Sequence, residues 1–319
     1  MSKIKAVSLF CGCGGTDVGL MGGFDFLGNQ YKENNIEIVL ANDIEPSAIK
    51  ILEENFGCET FTGDIRSLDY EKIPEHDILT GGFPCQSFSI VAQNPPRLGI
   101  KDSKGELFFE MCKILRKKKP LVFVAENVKG ILSANNKKAF PLIIEEFEKS
   151  GYYVKWDILN SANFGVPQKR ERVFIVGFKN KESFDKFNFP KTKTENPATL
   201  SEVIFKEVDI ESKYYFSEKA VLGMKKSNKL MNKGRAQNIE KPCNTVGAHL
   251  AKVSLNSTDP VLCIDGNYRR FTPREVARIQ SFPDSFKLIG SDSSQYKALG
   301  NAIPPVVFWH LTQEIIKAL

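Results

Sequence analysis

The stretch Gly81-Gly82-Phe83-Pro84-Cys85-Gln86-Ser87-Phe88-Ser89 carries one cysteine between a proline and a glutamine. A structural thiol belongs inside a strand or helix, whereas a reactive one needs a turn that holds it towards a substrate. Two other groups could work with such a nucleophile. Glu126, in Glu126-Asn127-Val128, is a carboxyl at the end of an apolar run. Arg170 and Arg172 follow in Gln168-Lys169-Arg170-Glu171-Arg172, just ahead of another apolar run. A cysteine nucleophile beside a carboxyl acid is a combination that describes covalent catalysis.

A second set of residues reads as a ligand cradle. Phe10-Cys11-Gly12-Cys13-Gly14-Gly15 closes the first apolar run, and glycines there let the backbone turn tightly against a nucleotide-like ligand. The turn is not G-x-G-x-x-G and no G-K-[ST] follows, which disfavours pyrophosphate and triphosphate ligands. Asp43 closes the next run, where an acid can accept hydrogen bonds from ribose hydroxyls. Asp64, in Gly63-Asp64-Ile65, is a further acid at the end of a third run. Cys11-x-Cys13 has no second pair at ligand spacing, so no metal site is expected.

The elements that must position these residues are legible as alternation. Ile4–Phe10, Ile36–Asp43, Asp77–Phe83 and Leu121–Val128 are short, β-branched apolar runs ending in polar or glycine residues, as buried parallel strands do, and Tyr153–Asn160 and Arg172–Phe178 continue the series. Between them Pro46–Phe56, Glu106–Arg116 and Phe140–Phe147 have helical periodicity. This predicts a doubly wound, mostly parallel α/β sheet with ligands at the carboxyl ends of its strands. Periodicity weakens from Lys179 to about Tyr268, then Thr272-Pro273-Arg274-Glu275 spells a helix start. A helix-like run, Val306–Ile316, ends the chain.

Composition narrows the partners. No stretch of about 18 apolar residues appears, so no membrane span is expected, and Met1–Phe10 lacks the apolar core of a signal peptide. Seven scattered cysteines do not form a disulfide framework, which points to a reducing cytoplasm. Residues 219–241 hold seven Lys/Arg against one Glu and so carry the whole net charge of +6. A local basic patch on a near-neutral body suggests contact with a polyanion.

Taken in order, the motifs resemble the bacterial DNA (cytosine-5)-methyltransferases. The matching blocks are SLFCGCGGTDVGL (8–20), NDIEPSAIKILEENFG (42–57), GDI (63–65), GGFPCQSFS (81–89), KGELFFEMCKILRKKKP (104–120), ENVKG (126–130), NFGVPQKRERVFIVGF (163–178), RRFTPREVARIQSFPDSF (269–286) and YKALGNAIPPVV (296–307). They cover nearly all the chain outside 179–268.

The resemblance implies an S-adenosylmethionine-dependent methyltransferase fold. Its catalytic and cofactor-binding domain would span 1–180 and 287–319, and 181–286 would form a smaller, irregular target-recognition domain with its connecting helix. S-adenosylmethionine would be the methyl donor and S-adenosylhomocysteine the product. Phe10 would pack on the adenine, and the Gly12, Gly14 and Gly15 turn would pass near the methionine part. Asp43 would bind the ribose, Ile44 would lie beside the adenine and Asp64 would take its amino group. Ile65, Pro84, Leu107, Asn301 and Ala302 would complete the pocket. Ser8 departs from the Asp that many relatives carry at its place, and Ile44 from the larger aromatic that some carry.

The implied reaction is addition of Cys85 to C6 of a cytosine, proton sharing by Glu126 at N3, and binding of the base oxygen by Arg172 with help from Arg170. The base must leave the duplex to be reached. Ser87–Ser103 resembles the closing loop, with Pro95-Pro96 stiffening it and Gln93 or Arg97 as candidates to fill the gap in the stack. Lys104 is a further candidate DNA contact. Arg235, Gln237, Asn244, Thr245 and His249 are candidate DNA-reading residues, with Thr245-Val246 resembling the Thr-plus-aliphatic pair of many recognition regions. Double-stranded DNA is the expected partner and a monomer the expected state, with a cognate restriction endonuclease as a possible associate. An RNA cytosine-5 methyltransferase, a DNA-binding regulator without turnover and a nicotinamide oxidoreductase are the rival readings. The Cys85, Glu126, Arg170 and Arg172 set argues against the last two.

Overall fold

The apolar runs become strands, and alternate side chains along each strand feed two different cores. A computed structural model describes residues 3–84, 106–191, 197–205, 210–226, 235–252 and 259–319. Its strands begin with β1 (Ile4–Leu9), followed by a small hairpin of β2 (Phe24–Phe26) and β3 (Asn29–Tyr31). Then come β4 (Ile36–Asp43), β5 (Glu59–Thr62), β6 (Ile78–Gly81), β7 (Val122–Val128), β8 (Tyr153–Asn160), β9 (Gln168–Lys169) and β10 (Glu171–Phe178). Seven of these make one sheet in the order β5-β4-β1-β6-β7-β10-β8.

Ala6, Ile78, Val122, Val124, Phe174 and Val176 face one core, with the helices Gly15–Met21, Pro46–Asn55 and Pro305–Ala318. Val7, Leu79, Phe123, Ala125, Val173 and Ile175 face the other, with the helices Glu106–Lys118 and Ala139–Lys149. A sheet apolar on both faces and covered on both is the doubly wound arrangement expected of such runs.

One strand departs from the expected series. β10 lies between β7 and β8 and is antiparallel to both. The reason is the connection: residues 161–170 between β8 and β10 are too few for a helical crossover, so the chain returns directly beside its predecessor.

Beyond the sheet the chain continues through the helices Lys181–Lys186 and Glu218–Lys226, the short strand β11 (Cys243–Asn244) and the hairpin β12 (Leu262–Ile264) with β13 (Asn267–Arg269). Phe187, Leu200, Val203, Val246, Leu250 and Phe271 of this region join the first of the two cores. β11 pairs in parallel with β9, which stitches residues 243–244 to the loop leading into β10. Thr272 then caps the helix Pro273–Ile279: its side chain accepts from Glu275 N–H and its own N–H reaches the Glu275 carboxylate, as the T-P-R-E pattern predicts. No helix among the described residues is long and apolar enough to cross a membrane.

Candidate active site

The carboxyl ends of β1, β4, β6 and β7 open on a cavity of 380 Å³. At its β1 and β4 end the chain turns through Phe10, whose φ of 53° is rare for a side-chain-bearing residue and holds the backbone in a tight reversal. Gly12 follows at φ 56° and donates its N–H to Asp43 Oδ2 at 2.8 Å, while Asp43 Oδ1 accepts from Glu45 N–H at 2.9 Å. Burial pushes the Asp43 carboxyl up, and these two N–H donors pull it back. Each oxygen keeps a lone pair for a ligand hydroxyl. Ile44 is 67% exposed and lines the cavity together with Phe10, so two apolar groups stand ready for a planar ring.

The chain's last third supplies the facing wall, with Lys297, Asn301, Ala302 and Ile303. Lys297 and Glu45, both cavity-lining, form an ion pair across it. Gly15 explains how close these parts come: a Cβ there would meet the Ile303 carbonyl. Cys11 also lines the cavity, but burial pushes its thiol far up, so it is held neutral and unreactive.

At the β6 and β7 end, Glu126 and Arg172 face each other, with Arg172 Nε 2.9 Å from Glu126 Oε1. Gly82 leaves the room they need, since a Cβ there would stand 3.3 Å from Glu126 Oε2. Burial raises the Glu126 carboxyl, opposed by the charges of Arg172 and Arg170. The result is a carboxyl able to hold a proton beside a fixed cation, which is what protonation of a ring nitrogen requires. Asn127 ties this end to the turn ahead of residue 85: its Nδ2 donates to the Phe83 carbonyl at 2.9 Å, and its Oδ1 accepts from Val128 N–H.

A nucleoside-shaped cradle and a proton-holding carboxyl thus share one cavity, and comparison with known proteins gives the arrangement its family. The model of the C-5 cytosine-specific DNA methylases matches residues 4–317. The chain belongs to that family. It is 33% identical to the Type II methyltransferase M1.ScrFI of Lactococcus lactis subsp. cremoris, over 100% of this chain and 79% of that one. It is also 33% identical to M.NlaX of Neisseria lactamica, over 99% and 97% of the two chains. Among solved structures, Entamoeba histolytica EhMeth superposes with a TM-score of 0.77 at 19% identity, and S. pombe Dnmt2 with 0.75 at 21%; each match covers 99% of both chains. At these identities the structures speak for the fold. This protein is therefore an enzyme that methylates C5 of cytosine in DNA, drawing the methyl group from S-adenosylmethionine.

The methylase site departs from the sequence reading in several places. Arg170 lines the cavity but is only 2% exposed, and its terminal nitrogens donate to the carbonyls of Val246 (3.1 Å) and Gly300 (3.2 Å). It holds backbone, while Arg172 is the arginine paired with Glu126. Asp64 caps the turn Ile65–Ser67 and pairs with Arg66, Ile65 is buried in the second core, and Leu107 packs against that core; none of the three lines the cavity. Pro84 does line it, whereas Gly14 and Gly15 do not.

In the recognition region, Arg235 is 4% exposed and its Nε donates to the Asp259 carbonyl. Gln237 accepts from Asn244 N–H and donates to the Arg235 carbonyl, so both side chains serve their own fold. Asn244, Thr245 and His249 are exposed, and Thr245 Oγ1 donates to the Lys169 carbonyl. Cys85, Gln93, Arg97 and Lys104 lie outside the described residues. Sequence reasoning missed Glu45, Lys297, Asn127, Gln168 and Gln280. Glu45 and Asn127 adjoin recognised residues and could have been found from that, but the Glu45–Lys297 contact joins distant segments and leaves no local signal.

Proposed function

We propose that the enzyme methylates one cytosine in a short duplex-DNA sequence, with Cys85 as its nucleophile. The observation that carries this reading is that the cavity holding Phe10, Asp43 and Ile44 also holds the Glu126–Arg172 pair. Asn127 links that pair to Phe83, two residues before Cys85. The donor set fits S-adenosylmethionine: Asp43 for the ribose hydroxyls, Phe10 and exposed Ile44 for the adenine, Gly12 for close backbone approach, and Asn301 and Ala302 for the methionine end.

A cytosine flipped from the duplex would enter the Glu126 end. The Cys85 thiolate forms the S–C6 bond, and the C5–C6 π electrons become enamine-like. Glu126 places its proton at N3, and Arg172 holds the adjacent base oxygen while keeping Glu126 oriented. S-adenosylmethionine bound beside the base would supply the electrophilic methyl for C5 and would become S-adenosylhomocysteine. Loss of the C5 proton to solvent then returns its electron pair to the C5–C6 bond, the C6–S bond breaks to release the Cys85 thiolate, and N3 gives its proton back to Glu126.

Residues 1–180 and 287–319 form the catalytic body in this reading, and 181–286 the recognition part. Asn244, Thr245 and His249 would touch DNA; their exposure and the anchoring of Thr245 beside Lys169 support this. The protein acts as a cytoplasmic monomer. Its Type II relatives make a cognate restriction endonuclease the natural companion.

The test is single-base mapping of 5-methylcytosine on mixed-sequence unmethylated DNA, with Cys85→Ala alongside. Methylation at one recurring site, absent from the variant, is the expected result. A folded, cofactor-binding wild type that leaves duplex DNA unmodified overturns the proposal and turns attention to RNA or to DNA binding without turnover.

A further inference from the structure

A fully buried polar junction joins four segments that are apart in sequence. Gln168 Oε1 accepts from Val246 N–H at 2.9 Å, and Gln168 Nε2 donates to Gln280 Oε1 at 2.7 Å. Gln280 Nε2 donates in turn to the carbonyls of Leu299 (2.5 Å) and Ala302 (3.3 Å). Arg170 makes a second bridge between the same outer partners, from Val246 to Gly300. Gln168 and Gln280 are both 0% exposed. Where the bridged segments meet, their backbones touch: a Cβ on Gly300 would be driven into Gly247 and Ala248.

Residues 299–302 contain the wall of the cofactor cavity, and 243–248 lie beside the exposed Thr245 and Asn244. Gln280 ends the capped helix Pro273–Ile279 and has both its amide atoms committed, so it cannot follow one neighbour without pulling on the other. Leaving either half of a buried amide unpaired is costly, because the group has given up its water without gaining a partner. A shift of the 246–248 backbone on DNA contact therefore reaches the Leu299 and Ala302 carbonyls through Gln168 and Gln280.

We propose that Gln280 is a positioning residue that couples engagement of DNA at residues 243–248 to the set of residues 299–302 on the cofactor. This rests on reading 243–248 as a DNA-contacting segment and 299–302 as part of the S-adenosylmethionine site. Coupling of this kind is reciprocal: DNA tightens the cofactor by the same factor as the cofactor tightens DNA.

The experiment is calorimetric binding of S-adenosylhomocysteine to the full-length protein, with and without a duplex carrying the mapped site, for wild type and Gln280→Met. The wild type should bind the cofactor product about tenfold more tightly with DNA present. Q280M should lose most of that factor while its cofactor-free DNA affinity holds, and its KM for the methyl donor should rise more than its kcat falls. An equal ratio in both proteins, or a wild-type ratio of one, overturns the coupling.

If Q280M does not fold, Gln168→Met removes the Gln168–Gln280 hydrogen bond from its other side and is judged by the same ratio. A wild type that binds neither ligand would count against the proposed function itself. A methylating wild type whose ratio matches that of Q280M would sink only this inference.

Discussion

Glu126 and Arg172 are diagonal neighbours on antiparallel strands. Glu126 pairs in register with Phe174, and Arg172 with Val128. Residues two apart on a strand share a face, so the carboxyl and the guanidinium leave the sheet on the same side and meet at 2.9 Å. Parallel strands would bring the end of β7 level with the end of β10, beyond the reach of Arg172. Reversal of β10 is what brings its first residues, not its last, to the active end of β7.

Glu126→Gln keeps the shape of that contact and removes the proton. Methyl transfer should fall by about 10²–10⁴-fold, with binding of S-adenosylhomocysteine unchanged. Single-turnover methylation at saturating cofactor checks this. A variant as fast as the wild type would exclude Glu126 as the proton source.

Arg172→Met should change the pH dependence as well as the rate. Burial raises the Glu126 carboxyl and Arg172 is the largest force opposing it, so removing that cation raises the carboxyl further. If the protonated form is the working one, activity falls as pH climbs through the carboxyl's pKa. That alkaline limb should therefore move to higher pH in the slower variant. A pH–rate profile with an unmoved limb would mean that another group titrates.

Asp17 gives a stability prediction. It is buried in the helix Gly15–Met21, with no cation among the described residues paired to its carboxylate. Burial raises it to about 6, which the Ser8 hydroxyl opposes only in part. A carboxyl raised on folding holds its proton longer in the native than in the unfolded chain. Stability from this group is then complete below the unfolded pKa, near 4, and is lost as pH rises through about 6. The loss is on the order of 3 kcal/mol. Asp17→Asn should flatten the change in urea-unfolding free energy between pH 4 and pH 8. A variant that loses stability over that range as steeply as the wild type would assign the slope to another group.

Arg269 and Glu275 form an ion pair with both side chains 0% exposed, through contacts of 2.8 and 2.7 Å. Glu275 also caps its helix and accepts from Phe205 N–H at 2.9 Å. Arg269→Met leaves this carboxylate buried without its cation and should cost about 3–5 kcal/mol of unfolding free energy. Chemical denaturation measures it, and a loss below about 1 kcal/mol would show that the backbone donors alone satisfy Glu275.

What could be read in advance followed from local pattern. Strand ends placed Asp43 and Glu126 at the ligand edge because β-branched runs and their polar stops are visible residue by residue. The T-P-R-E start gave its helix for the same reason. The reversal of β10 was not visible as periodicity, since a buried strand looks alike in both directions; only the short link before it carried the information. Arg235 and Gln237 looked like base readers because their side chains suit bases, yet their use is set by carbonyls and N–H groups that come near only when the chain folds. The Glu45–Lys297 and Gln168–Gln280 contacts belong to the same class.

All seven strands of the main sheet are complete by Phe178. The stretch that follows can thus be exchanged between enzymes of this kind without cutting a single hydrogen bond of the seven-stranded ladder. The exchange has a fixed seam beside the apolar face it must also refill. A donor segment must still offer an extended pair to lie beside Gln168-Lys169 and a glycine-sized backbone to face Gly300. A chimera that respects the seam should inherit a new target sequence with the old chemistry, and one that ignores it should fail first at holding its cofactor.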